Sequence, residues 1–305
     1  MLGIVGPTAS GKTDLALALA EALPVEILVA DSRQVYRGMD VGTAKPDAAA
    51  RHRVPHHLLD LVDPDQPFSV AQWVAAARST VGEVAGRGRL PLLVGGTGLY
   101  VGALVDGHDY DSQPYAPDLR AELASRLEVE GVGPLAAELV ARQPARAATT
   151  DLRNPRRVLR ALERSLAGVA EVEVRATPNA GRVGLIGLSR PREVLYRRID
   201  ERTRRLFEVD GLLDEVRHLL DRGYGPDLRP MTGHGYREAA HHLAGEWSLE
   251  EAIAVTARRT RQYAKRQLTW FRANPRILWL SAGERPAGDP ALVTEAVRVL
   301  RAAIS

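Results

Sequence analysis

The first residues with the types and spacing for chemistry are Gly6-Pro7-Thr8-Ala9-Ser10-Gly11-Lys12-Thr13. They fit G-x-x-x-x-G-K-[ST], a phosphate-binding loop. A glycine at each end lets the backbone curl and turn successive N–H groups inward as an anion nest. Lys12 supplies an ammonium for phosphate oxygens, and Thr13 a hydroxyl suited to Mg²⁺. The bland alternative is a glycine-rich turn beside a solvated lysine. Context argues against it. An apolar run, Leu2 to Val5, precedes the loop, and an Ala/Leu-rich helical run, Asp14 to Leu23, follows it. That helix adds the positive end of its dipole. The expected ligand is a di- or triphosphate.

Two further stretches carry chemistry at the ends of predicted strands. Val25 to Ala30 reads as a buried strand ending at Asp31. If it lies beside the first strand, Asp31 faces whatever is attached to the bound phosphates. A carboxylate there can be a general base or a metal ligand, or simply cap a turn through the Asp31-Ser32 pair. The polar run to Pro46 is punctuated by Gly38 and Gly42 and has no period, so it is a loop. Leu90 to Val94 reads as another buried strand, running into Gly95-Gly96-Thr97-Gly98. Paired glycines permit close approach of backbone to ligand, and Thr97 is placed to offer a hydroxyl, unless this is a plain strand-to-helix turn. His56 and His57 invite a metal reading, but neighbours in a strand face opposite ways, so a structural role is expected.

The elements that must hold these residues form an α/β core. Strand character stops from about 111 to 182, where Leu119, Leu123 and Leu127, then Leu135, Leu139 and Val140, repeat at helical spacing. We read 1–110 and 183–305 as the core and 111–182 as a small all-helical insert. The insert carries Arg153, Arg156, Arg157, Arg160 and Arg164 around one acid, Glu163. Such a face is usually just solvated; this density suggests a polyanion. A second basic helix is expected from Arg192 to Leu206. A third, from Ser248 to about Phe271, has no acid after Ala257 and alternates basic residues with Tyr263, Trp270 and Phe271. Aromatics between basic groups can stack unpaired bases, or anchor a core; Trp270 is expected to do some of the latter.

Composition sets outer limits. The chain has 305 residues, 45% of them hydrophobic, enough for a large core plus a smaller unit. It has no cysteine, which excludes disulfides and thiolate metal sites. No run is long and apolar enough to span a membrane. With the P-loop starting at Gly6, no room for a signal peptide is expected, and a cytoplasmic location follows. Net charge is only +3, so the uneven placement of the arginines matters more than their sum.

Taken together, GPTASGKT at 6–13, DSRQVYRGMDVGTAKP at 31–46, PHHLLDLVDP at 55–64, LLVGGTGLY at 92–100, RRVLRALE at 156–163, GLLDEV at 211–216 and TRQYAKRQLTWFR at 260–272 resemble the tRNA dimethylallyltransferase (tRNA isopentenyltransferase) family. The order is the family's, and the matches span nearly the whole chain. The P-loop alone is widely shared; the 31–46 and 260–272 runs are far more specific. The resemblance implies a P-loop NTPase-like parallel sheet flanked by helices, with the helical insertion domain. It implies transfer of a dimethylallyl group from dimethylallyl diphosphate to N6 of adenosine 37, beside the anticodon, in tRNAs reading codons that begin with U. In that reading Gly6 to Thr13 hold the diphosphate leaving group with Mg²⁺ on Thr13, and Arg202 reaches the diphosphate. Asp31, with Lys12 and Thr13, is catalytic, as the base that takes the N6 proton. Ser32, Gln34 and Thr97 face the flipped base, and Arg33 is among the tRNA-binding residues. Arg120, Arg156, Arg157 and Arg160 grip the anticodon stem-loop, with Tyr236 and Arg237 also on the tRNA side. A monomer is expected. The chain departs from the family's pattern at His234, where Ile or Val is usual, at Thr232, and at Arg153-Asn154.

Three other readings share features. A nucleotide- or shikimate-type kinase has the P-loop but no need of two arginine-rich surfaces. An adenylate isopentenyltransferase would lack the insert and the basic C-terminal helix. A non-catalytic NTPase switch would hydrolyse ATP or GTP and tolerate Asp31→Asn.

Overall fold

The computed structural model describes residues 1–107, 117–168 and 183–304. The chain divides into two compact units, Met1–Asp106 with Pro178–Ser305, and Gly107–Thr177. The expected insert borders at 111 and 182 lie outside the described residues.

The larger unit begins with β1 (Leu2–Val5), α1 (Lys12–Ala22), β2 (Val25–Ala30), α2 (Ala48–Arg53), β3 (His56–His57), α3 (Val70–Gly86), β4 (Leu90–Gly95) and α4 (Gly98–Asp106). The smaller unit holds α5 (Pro117–Glu130), α6 (Val132–Arg142), α7 (Pro144–Thr149) and α8 (Pro155–Leu166). The larger unit resumes with β5 (Gly184–Ser189), α9 (Arg192–Glu208), α10 (Leu212–Asp221), α11 (Tyr236–Leu243), α12 (Leu249–Arg272), β6 (Ile277–Ser281) and α13 (Pro290–Ile304).

The strands form one parallel sheet in the order β3-β2-β4-β1-β5-β6. β1, β2 and the body of β4 are buried and continuously apolar, apart from Glu26, as befits strands covered by helices on both faces. One expectation is corrected here: β2 does not lie beside β1, because β4 sits between them. The register pairs Val5 with Gly95 and Gly95 with Ala30. The three strands therefore end level, and the P-loop, Gly96-Thr97 and Asp31 all leave the sheet at one edge. Leu15, Ala16 and Leu19 of α1 pack into the same core as Ile4, Ile27, Val94 and Ile186. Capping boxes start two of the helices, Ser69 with Gln72 on α3 and Ser248 with Glu251 on α12.

In the smaller unit, Leu123, Leu135, Leu139, Val158 and Leu162 form a separate core with Leu119 and Leu127 packed against it. Val140, expected on that face, is instead 45% exposed.

Candidate active site

The P-loop takes the shape its glycines permit. Gly6 and Gly11 have φ of 147° and 97°, in the left-handed region that a side chain would strain. The outward carbonyls are held from behind. The Arg190 Nε donates to Ser10 O (2.8 Å), and the Arg198 Nε donates to Ala9 O (2.9 Å). Neither arginine is expected in this role from sequence, because each acts on backbone that the chain leaves some 180 residues earlier. Of the loop's own N–H groups, Ser10 donates back to Pro7 O (3.3 Å) and Thr8 to the Gln267 side-chain oxygen (2.8 Å). Pro7 has no N–H. Thr8 and Pro7 thus shape the cradle without aiming backbone donors into it. Lys12 folds onto Pro7 O at 2.7 Å. Burial pushes its ammonium down to about 8, opposed by Asp31 and reinforced by Arg202. Burial likewise lowers Arg202, against the pull of Asp31, Asp210 and Asp14.

Asp31 both closes a turn and faces the ligand space. One carboxylate oxygen accepts the Arg33 N–H at 2.8 Å. The residue also lines an open cavity of about 1130 Å³ shared with Lys12, Thr13, Arg202, Gln34 and Tyr263. Beside it, Thr97 accepts the Ser32 N–H at 3.0 Å and shares a hydrogen bond with the Tyr263 hydroxyl. Burial pushes that phenol up to about 12, with Asp31 adding to the shift. Tyr263 in turn meets His234 edge-on at 5.4 Å. Burial pushes His234 down to about 4.

The polar 31–46 run is a loop, as expected, and it is clasped from two sides. The buried Lys45 ammonium donates to Tyr36 O, Asp40 and Asp60, each at 2.6 Å. Glu215 accepts the N–H groups of Asp40 and Val41 (2.7 Å each) and of Gly42 (3.1 Å). The amide nitrogen of Gln34 donates to Thr43 O and Ala44 O (3.0 and 3.2 Å), leaving its oxygen for a ligand. Arg33 reaches the carbonyls of Arg229 and Pro230.

One expectation is corrected, that Tyr236 lies on the tRNA side. Tyr236 is 1% exposed and donates its hydroxyl to Glu215 at 2.6 Å. It supports the loop from inside and offers no face to RNA; its neighbour Arg237 is exposed. On α12 Phe271 is the buried aromatic; Trp270 is 53% exposed yet lays its ring against Gly98, so it does part of the anchoring expected of it. In the insert, Arg156 and Arg157 are exposed, whereas Arg120 and Arg160 both pair with the buried Glu163 (2.8 and 2.6 Å). The histidine pair has structural partners: His57 on Glu26 at 2.7 Å and His56 on Val54 O at 2.8 Å. Among the described residues no three His, Cys, Asp or Glu side chains gather as a metal cage.

The sequence model of the family described as IPP transferase matches residues 34–274. The chain belongs to the IPP transferase family. The related model described as Isopentenyl transferase matches residues 1–55, the P-loop end. The chain is similar to the tRNA dimethylallyltransferase of Roseiflexus castenholzii, 45% identical over 99% of this chain and 97% of that protein. It is equally close to that of Geobacter sulfurreducens, 45% identical over 97% and 95%. Among solved structures of the family, the full-length tRNA isopentenylpyrophosphate transferase from Bacillus halodurans superposes with a TM-score of 0.74 at 39% identity, covering 99% and 96% of the two chains. A eukaryotic dimethylallyltransferase studied acting on tRNA gives 0.80 at 25% identity, covering 97% of this chain and 77% of its own. As an IPP transferase, the protein has its P-loop, Asp31 and Thr97 on the three level strand ends described above.

Proposed function

We propose that this protein is a tRNA dimethylallyltransferase. It moves the dimethylallyl group of dimethylallyl diphosphate to N6 of adenosine 37 in tRNAs reading codons that begin with U, acting as a cytoplasmic monomer. The observation that carries the reading is that one cavity joins a phosphate cradle to a carboxylate, Asp31, and to Tyr263, whose hydroxyl is hydrogen-bonded to Thr97.

The chemistry follows from the groups lining it. The N6 lone pair attacks the allylic carbon, and the electron pair of the C–O bond leaves with the diphosphate. The charge that develops on the leaving oxygens meets Lys12, Arg202 and the N-terminal N–H groups of α1. The N6 proton passes to the carboxylate oxygen of Asp31 that is not tied to Arg33. The target adenine must leave the anticodon-loop stack to enter this cavity. Ser32, the Gln34 oxygen and Thr97 form the wall it would meet, with Arg33 holding that wall in place. The Thr13 hydroxyl lies exposed at the cavity. It is a hard oxygen donor of the kind that holds Mg²⁺ together with phosphate oxygens and water. Bound there, the ion supplies further neutralisation of the diphosphate. Arg156, Arg157 and Arg237, all exposed, are the candidates for backbone contacts; Arg120 and Arg160 would reach RNA from their fixed places on Glu163.

The test is direct. With labelled dimethylallyl diphosphate, Mg²⁺ and unmodified tRNA, the purified protein should label adenosine 37. An inert prenyl donor together with ATP hydrolysis would overturn the reading.

A further inference from the structure

Gln267 sits 6% exposed on α12, at a point where two loops from neighbouring strands come together. Its side-chain oxygen accepts the N–H of Thr8 in the P-loop at 2.8 Å. Its side-chain nitrogen donates to the carbonyl of Gly96, in the loop that carries Thr97, at 2.8 Å. Those two partners fix the orientation of the amide, since one can only donate and the other only accept. The bridge needs both functions at one end of one side chain. A carboxylate accepts but cannot donate, an ammonium donates but cannot accept, and asparagine is a methylene short. Position 96 is also shaped by it: a Cβ there would overlap the amide nitrogen.

We infer that Gln267 is a positioning residue that sets the distance between the leaving-group cradle and the acceptor wall. This deepens the prenyl-transfer reading and rests on it. The sheet joins the two loops only at the strand ends, Val5 and Gly95. Beyond them, the amide of Gln267 ties Thr8 to Gly96, one residue before Thr97. In-line attack needs the reacting nitrogen and carbon held close and aligned, and a misplacement of about 1 Å can cost about a hundredfold in rate. Gln267 uses no donor that the diphosphate needs, because the Thr8 N–H it holds is turned away from the anion nest. Its loss should therefore change rate and leave ground-state binding alone.

The experiment compares wild type with Gln267→Glu in single-turnover prenyl transfer, alongside binding of inorganic pyrophosphate and of tRNA. At pH 8 the variant should transfer on the order of a hundredfold more slowly at saturating substrates, with the tRNA dissociation constant within about threefold of wild type; pyrophosphate binding is read on Gln267→Met, which breaks the bridge without adding a charge beside the cradle and should also stay within about threefold. The pH profile separates positioning from general damage. Once protonated, the carboxyl group introduced by Gln267→Glu carries an O–H donor and a C=O acceptor, so the ratio of wild-type to variant rate should shrink as pH falls. The demand on Asp31 is common to both proteins and cancels in the ratio. Should Gln267→Glu not fold, Gly96→Ala displaces the amide from the other side and carries the same expected loss of rate with binding retained. A rate within about threefold of wild type at pH 8 overturns the inference. So does a loss that excess donor restores, or a Gln267→Glu rate ratio that stays flat with pH. If wild type itself does not transfer the prenyl group, the functional reading fails and not the bridge.

Discussion

At the scale of single residues, the cavity sets one carboxylate, Asp31, among cations that burial lowers, Lys12 and Arg202. Asp31 spends one oxygen on its own turn, so its removal has two consequences that can be told apart. Asp31→Asn keeps an oxygen that can accept from Arg33 and removes the base. Its single-turnover rate should fall by about 10²–10⁴, while tRNA binding by filter assay stays near wild type. Lys12 gives a pH dependence with a definite sign. Burial pushes its ammonium down to about 8, and a bound diphosphate favours the charged form. Binding therefore takes up a proton once pH rises above about 8, and affinity falls with it. From about pH 7 to about pH 9, pyrophosphate binding to wild type should weaken by about tenfold more than binding to Lys12→Arg, whose guanidinium stays charged. Titration calorimetry in buffers of different ionisation enthalpy measures both the affinity and the proton count. Equal pH dependence in the two proteins would remove Lys12 from the cradle.

At the scale of elements, the 31–46 loop behaves as part of the scaffold. Glu215 accepts three backbone N–H groups of the loop and the hydroxyl of Tyr236. Glu215→Ala strands those donors and should cost about 2–3 kcal/mol of stability, against about 1 kcal/mol for Tyr236→Phe, which removes one bond. Urea unfolding reads both values; equal, small losses would mean the loop is held mainly by Lys45. This is also where the sequence was least legible. Local signals placed the P-loop, Asp31, the Gly96-Thr97 turn and the long helices, because glycine punctuation, caps and apolar period are properties of neighbouring residues. The order of strands is not local, so β4 entering between β1 and β2 could not be read. For the same reason Tyr236, on a helix that begins just after a glycine loop, reads as a surface aromatic until the carboxylate of Glu215 is seen beneath it. Gln267 lies inside a motif dominated by its arginines, yet its role depends on two loops far away in the chain.

For the whole molecule, the small net charge of +3 conceals a separation of roles. Many arginines are consumed internally: Arg190 and Arg198 on P-loop carbonyls, Arg87 on Glu26, Arg120 and Arg160 on Glu163. Others stand in solvent: Arg153, Arg156 and Arg157 in the smaller unit, and Arg258, Lys265, Arg266 and Arg272 along α12. Exposed cations of this kind bind a polyanion by releasing its counterions, with a steep dependence on salt. Raising salt should accordingly weaken tRNA binding far more than pyrophosphate binding, whose charge is met by groups inside the cavity. Replacing Arg156 and Arg157 together with alanine should flatten the slope of log affinity against log salt by about 1.4–1.8, the release expected for two phosphate contacts. The effect should be the same for tRNAs of different sequence, because phosphates carry no base identity. The Arg156/Arg157 variant should keep its pyrophosphate affinity and, at saturating tRNA, its transfer rate. A wild-type salt slope in that variant would move the RNA contact away from the start of α8. A loss of transfer rate at saturation would instead make these arginines part of the chemistry and not of the grip.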